Sequence, residues 1–256
     1  MKKLSLLLLF LAPTVVLAQA TSYLPTFPWE CLGLRPVLSL GGGVTFVPTV
    51  GSTNNFPIID PDTDEFYNYS RQDNTRQVRT FNGFIGAEAT LAPLWNLQLG
   101  FEYDQLGQLK AEGSFVQGAD VQSQDQYNYN YLIRSKQFLA ESKLLYTIDG
   151  YYHPYIAGGI GLGSNKNTQY STDVPPFLTF TRMYADHKTN SIAYNIGLGL
   201  DIDISSHLRL GGGYRFANLG KQQLGQAMID TTAVPGTLNQ KNLYANELLA
   251  QATLVF

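Results

Sequence analysis

The histidines are the first place to look for chemistry, because an imidazole set between an acid and a hydroxyl is the common arrangement for hydrolysis. His153 and His207 fall beside predicted tight turns. Only His187 lies in a long loop, next to Asp186 and four residues before Ser191. Asp-His-x-x-x-Ser is a spacing that arises readily by chance, and no compact Ser/His/acid set stands out. No catalytic residue is assigned, and the chain is not expected to be an enzyme. The run Asp60-Pro-Asp-Thr-Asp-Glu65 spaces acids as calcium ligands are spaced. An EF-hand loop, however, needs Gly at its sixth place and Glu at its twelfth, where this chain has Glu65 and Arg71. A solvated acidic loop is the expectation. Gly158-Gly-Ile-Gly-Leu-Gly163 has the glycines of a nucleotide loop but at period two and with no helix to follow, which suits a strand making room for large neighbours. No metal and no cofactor is expected.

The remaining charges show a clearer pattern. Glu88, Glu102, Glu141, Lys143, Asp201, Arg209, Arg215 and Glu247 each alternate with apolar residues along the chain. They are expected to form a polar network inside a barrel, where a charge must be paired or hydrated. The Ser205-Ser206 turn places Arg209 opposite Asp201 or Asp203, and Arg215 and Glu247 are expected to face each other on neighbouring strands, because only residues of one face can meet. A network that stiffens and plugs the barrel is preferred over an ion path, since eight strands leave little space; an excess of acids would favour cations if water did pass.

Eight alternating runs must position these charges: 36–47, 76–91, 95–105, 131–148, 152–164, 190–204, 207–217 and 242–256. The run from Trp95 to Gln105 is the cleanest, with Trp95, Leu97, Leu99, Phe101 and Tyr103 on one face and Asn96, Gln98, Gly100, Glu102 and Asp104 on the other. Tight connections at 92–94, 149–151 and 205–206 alternate with long polar ones at 48–75, 106–130, 165–189 and 218–241. Short inner turns and long outer loops are the pattern of an outer-membrane barrel, and an even strand number returns both ends to the periplasm. Trp95, Tyr103, Tyr146, Tyr152, Tyr214 and Tyr244 are expected in the aromatic girdles, with Tyr67, Tyr69, Tyr127, Tyr129 and Tyr131 mostly joining the outer one. A minority reading gives these loop tyrosines to a host or matrix ligand.

Both ends carry further signals. Lys2 and Lys3, the apolar run Leu4 to Leu11 and the small-x-small site Ala18-Gln-Ala20 read as a signal peptide over residues 1–20, followed by a periplasmic lead-in over 21–33 that holds Cys31, the single cysteine. Without residues 1–20, twenty acidic residues face fifteen basic ones, which argues against a nucleic-acid partner. No later stretch approaches 18 consecutive apolar residues, so no spanning helix is expected. Leu248, Ala250, Ala252, Leu254 and Phe256 form an apolar alternate row ending on an aromatic residue, expected to serve as the insertion signal read by the barrel-assembly machinery. Alternation alone does not exclude an aqueous barrel with an apolar core. The signal peptide, the terminal Phe256 and the loop asymmetry favour the membrane.

Residues 34–256 resemble the small bacterial outer-membrane β-barrel family that includes opacity-type surface proteins and the membrane part of outer membrane protein A. The carriers are His153-Pro-Tyr-Ile-Ala-Gly-Gly-Ile-Gly-Leu-Gly163, Tyr194-Asn-Ile-Gly-Leu-Gly-Leu-Asp201, Leu210-Gly-Gly-Gly-Tyr-Arg215 and the terminal Phe256. The expectation is an all-β, eight-stranded, closed, antiparallel transmembrane barrel in a Gram-negative outer membrane. The resemblance implies an envelope-structural, adhesive or weakly pore-forming role and supplies no catalytic residues. The expected function is therefore a non-catalytic surface protein that interacts or adheres through its loops. A narrow porin-like channel is the alternative, and a lipid A-modifying enzyme the third. The expected partners are outer-membrane lipid and lipopolysaccharide, the assembly machinery, and a host or matrix ligand at the loops.

Overall fold

The computed structural model describes residues 33–59, 64–118, 124–176 and 180–256. The signal peptide, most of the lead-in with Cys31, and the side chains of the acidic run 60–65 lie outside the described residues. Alternating sequence forms strands throughout: β1 (Leu34–Val47), β2 (Asn54–Ile59), β3 (Asp64–Arg71), β4 (Arg76–Ala92), β5 (Trp95–Leu106), β6 (Leu109–Gly118), β7 (Asp125–Tyr146), β8 (Tyr152–Thr172), β9 (Arg182–Tyr184), β10 (His187–Asp203), β11 (Leu208–Asn218), β12 (Gln222–Gln223), β13 (Ala227–Ile229), β14 (Thr232–Val234), β15 (Asn239–Gln240) and β16 (Tyr244–Val255).

The main sheet runs β2-β3-β6-β7-β5-β4-β1-β16-β11-β10-β8, and β7 also pairs with β8. The sheet curls strongly. Arg215 on β11 bonds Glu102 and Asp104 on β5, four places away in the strand order, which a flat sheet could not permit. The architecture is all-β and barrel-like, but the expectation of a simple eight-stranded barrel is overturned. Among the described residues there are sixteen strands, eleven of them in one sheet, with separate sheets β12-β15 and β14-β13-β9. The physical reason lies in segments read as polar loops. Residues 54–59, 64–71 and 109–118 alternate too, and they add to the upper edge of β7. That strand's lower half pairs with β5 (Lys136–Tyr146 against Gln105–Trp95) and its upper half with β6 (Asp125–Ile133 against Gln117–Leu109). β3 then pairs with β6, and β2 with β3.

Polarity follows the pleat. Leu99, Phe101, Ile156, Ile160, Ile196 and Leu198 are exposed on the outside, while Glu88, Glu102, Asp104, Asp201, Arg209 and Arg215 are buried within. Glycines allow the inner wall to bend at one point in particular. Gly86 and Gly100 stand opposite each other, and the Phe84 ring lies over both. A Cβ on Gly100 would come within 2.2 Å of the Ile85 carbonyl oxygen, a backbone atom that cannot swing aside. Gly100→Ala is expected to cost about 1–3 kcal/mol through forced backbone shifts, measured as a lower urea midpoint in lipid vesicles. An unchanged midpoint would show that the wall can widen freely there.

Candidate functional site

Two buried assemblies fill the inside. The first is ionic and lies on the strands whose outward rows are apolar. Inward positions on β5, β11 and β16 bring Glu102, Asp104 and Glu247 onto the Arg215 guanidinium, each through its own nitrogen. Arg209 donates Nε to Asp203 at 2.7 Å and Nη1 to Glu88 at 2.5 Å; Glu88 also accepts from Arg35, and from Gln98 at 2.7 Å. Lys143 donates to Asp201 at 2.6 Å, and Gln251 donates to the other oxygen of Asp201 at 3.0 Å. Glu141 stands apart from these pairs and accepts from Asn195 at 3.1 Å. Register counting from the Ser205-Ser206 turn reaches the Asp203–Arg209 contact, and Arg215 does face Glu247 across β11 and β16.

The cross-lumen partners lay beyond sequence reasoning. Arg35 sits at an inward alternate position of β1, in step with Val37 and Ser39, and that parity is the signal that could have found it. A hydrogen-bonded chain near the tight turns was also missed. Thr147 Oγ1 lies 3.1 Å from His153 Nδ1, and His153 Nε2 lies 2.9 Å from Asp203. Hydroxyl, imidazole and carboxylate stand in line, but each is committed elsewhere: Thr147 accepts from Asn96 at 3.3 Å, and Asp203 accepts from Arg209. The loop set considered for hydrolysis does not assemble. Asp186 accepts from the Gln169 amide, and Ser191 Oγ accepts from the Lys221 amide at 2.7 Å. Between the ion clusters remains a cavity of about 50 Å³, lined by residues such as Asn82, Gln98, Glu102, Lys143 and Arg215. It has room for a few waters.

The second assembly is apolar and rich in tyrosine. Tyr67, Tyr69, Leu109, Phe115, Tyr129, Tyr131, Ile133, Tyr170 and Tyr184 are buried together with Leu219, Leu224, Leu238 and Leu243. The tyrosines assigned above to the outer girdle are thus corrected. Tyr67, Tyr69, Tyr129 and Tyr131 occupy inward alternate positions of β3 and β7 and are at most 1% exposed, and Tyr127 packs against them. Tyr69 stacks on Phe115 at 4.9 Å and meets Tyr129 edge-on at 5.4 Å. The Tyr129 hydroxyl donates to the Ser52 carbonyl at 3.0 Å. Burial pushes the hydroxyls of Tyr69, Tyr129 and Tyr184 well above the ordinary phenol range, so they remain neutral donors at any physiological pH. Arg182 is fully buried among them. Its guanidinium lies over the Phe56 ring at 4.4 Å and donates to the carbonyls of Pro235 and Gly236.

On the outside, Trp95 packs on Tyr146 with ring centroids 4.8 Å apart, and half-exposed Tyr152 lies near the same end. Tyr103 and Tyr244 stand toward the other end, and Tyr214 lies midway along β11. Trp95 and Tyr103 are eight residues apart on β5, about 26 Å along a strand. Leu248, Ala250, Ala252 and Phe256 are exposed on β16 or just beyond it, and Leu254 is half-exposed in the same row. An apolar belt with aromatic rims around a charged interior is the inverse of a water-soluble protein.

The geometry is that of an all-β, barrel-like sheet with apolar residues outside and charged ones inside. No family model matches the chain, and no curated protein matches it. Among solved structures it is similar to neisserial surface protein A, at 11% identity over 88% of this chain and 97% of that one, with a TM-score of 0.41. It is likewise similar to the outer membrane protease OmpT from Escherichia coli, at 10% identity over 87% and 96%, with a TM-score of 0.47. A third is the outer membrane protein OprG from Pseudomonas aeruginosa, at 10% identity over 86% and 95%, with a TM-score of 0.45. Nothing about activity or partners passes from these proteins to this chain, and the resemblance to opacity-type and outer membrane protein A-like barrels is not narrowed to one family.

Proposed function

We propose that this chain is a non-catalytic surface protein of the outer membrane, a lipid-embedded scaffold that holds a folded extension outward for binding. In this reading residues 1–20 direct export and are removed, both ends of the mature chain face the periplasm, and Leu248, Ala250, Ala252, Leu254 and Phe256 guide insertion. The observation that carries the reading is the filling of the interior. Ion pairs reach from wall to wall below, and a tyrosine-rich core occupies the space above them. A channel needs the opposite, a continuous wet path. The long connections are built as a packed extension with its own core, which suits recognition by a pre-organised surface more than a flexible gate.

Planar-bilayer recording separates this reading from the narrow channel. The protein is expected to give no steady single-channel steps. Steps that change size when Glu102 is replaced by glutamine would support the channel instead. Trimming β2–β3 and the tip between β6 and β7 is expected to abolish binding to host cells while heat-modifiable migration on gels persists. Binding that survives the trimming would place recognition elsewhere.

A further inference from the structure

The outward face of the sheet changes character abruptly at one height. On β7 the outward residues rise from Tyr146 through Leu144 and Ala140 to Phe138, and then come Lys136 and Arg134. On β8 Ile160 and Leu162 are followed by Ser164 and Lys166, and on β10 Tyr194 and Ile192 give way, moving upward, to Asn190 and Lys188. The register puts these cations side by side. Arg134 is the Cα partner of Lys166, and Lys166 is the partner of Lys188. Three adjacent strands therefore carry three like charges in a single row about 10 Å long, with Lys136 one step below on the same face. All four side chains are exposed, and none has a carboxylate within 4.0 Å among the described residues.

Like charges placed directly opposite each other destabilise a sheet, so the row works against folding in a chain whose net charge is negative. The outward positions of β7, β8 and β10 hold no carboxylate that could offset it. Of the acids on neighbouring segments, Asp186 accepts from the Gln169 amide, and Glu112 bonds Lys110 and Arg76 and is held below the usual carboxylate range chiefly by Lys110. The row is also largely one-sided. Arg79 on β4 is a further outward cation, but the outward positions of β1, β11 and β16 contain none at any height.

We propose that Arg134, Lys166 and Lys188, with Lys136 beneath them, form a binding site for the phosphates of a phosphorylated glycolipid headgroup in the outer leaflet. The site rests on the orientation proposed above, in which the extension lies outside the cell. The cations begin where the apolar belt ends, so acyl chains lying against Phe138, Leu162 and Ile192 bring a headgroup to their level. A row of three cations across about 10 Å suits a headgroup with two phosphomonoesters, each carrying more charge than the single phosphodiester of an ordinary phospholipid. Seating such a headgroup removes the repulsion along the row.

The experiment uses the full-length protein refolded in neutral detergent and titrated with lipid A bearing both phosphates, with enzymatically dephosphorylated lipid A, and with phosphatidylglycerol. The wild type is expected to bind the bisphosphorylated lipid at least about tenfold more tightly than the other two. The triple variant Arg134→Gln/Lys166→Gln/Lys188→Gln is expected to lose that preference, with a drop of roughly 10- to 100-fold that shrinks in high salt. Lys221→Gln/Lys241→Gln is expected to bind as the wild type does. The triple variant relieves repulsion, so its thermal midpoint should not fall, and the binding loss then cannot be ascribed to misfolding. Equal binding by the triple variant, or equal binding of phosphatidylglycerol, would overturn the site. The orientation is read separately, by labelling a cysteine placed at Asn128 in intact cells with an impermeant maleimide in a Cys31→Ser background. Labelling with unchanged lipid binding refutes the site alone. Folded protein that stays unlabelled refutes the orientation and the site with it.

Discussion

Arg215→Met is expected to cost the folded protein about 3–5 kcal/mol or to prevent folding outright. One guanidinium serves three carboxylates, and Asp104 and Glu247 are fully buried while Glu102 is 6% exposed. Methionine fills similar volume but leaves all three acids without a counter-ion. The same change at Arg209 should cost less, because Glu88 keeps Arg35 and Gln98. Adding Glu102→Gln and Asp104→Asn to Arg215→Met is expected to recover much of the loss, since the remaining amides can bond one another and Glu247. Heat-modifiable migration and urea titration in vesicles read these effects. If Arg215→Met folds as well as the wild type, the network is not what holds β5 to β11.

Tyr129→Ala should act on the other assembly. The ring is 1% exposed, touches Tyr69, Tyr131 and Tyr170, and anchors the 48–53 turn through Ser52. Its removal is expected to cost the extension about 3–5 kcal/mol, whereas Tyr129→Phe loses only one hydrogen bond, about 1 kcal/mol. The effect should be confined. Amides of β3, β6 and β12–β15 should exchange hydrogen much faster, while those of Leu97–Phe101 keep their protection. Uniformly faster exchange would mean that the extension and the strands around the ionic interior open as one unit, against the separation of the two interiors.

These two interiors differ in how far the sequence revealed them. Strands such as β5 and β10 were legible because one alternate row is apolar and the other polar or charged, so that Leu99 and Ile196 could be told from Glu102 and Asp201 at a glance. Short turns carried the neighbouring pairs as well, as at Asp203 and Arg209. Contacts across the lumen were not legible. Arg215 reaches β5 over four strand steps, and nothing in local spacing measures the width of the sheet's curl. The extension was hidden for a different reason. Its segments alternate too, but their outward rows are mostly polar, as at Asn68, Ser70, Lys110, Glu112 and Ser114, so they read as loops. Tyrosine compounds the ambiguity, since the same residue suits a membrane rim, a binding surface or a core. Which of these it takes depends on whether its parity points inward, and β7 keeps that parity unbroken from Tyr146 to Tyr127.

The unbroken course of β7 has a mechanical consequence. Its 22 residues run without interruption from the tight turn before β8 up into the hairpin with β6, flanked on one edge by β5 and then β6 and on the other by the 21 residues of β8. A tug on the hairpin tips by a bound surface would pull along the strand axis. The cross-strand bonds lie perpendicular to that axis, so many of them would bear the load together, in shear, instead of parting one at a time. Load applied at that hairpin would therefore be carried along one continuous beam and not by the hairpin alone.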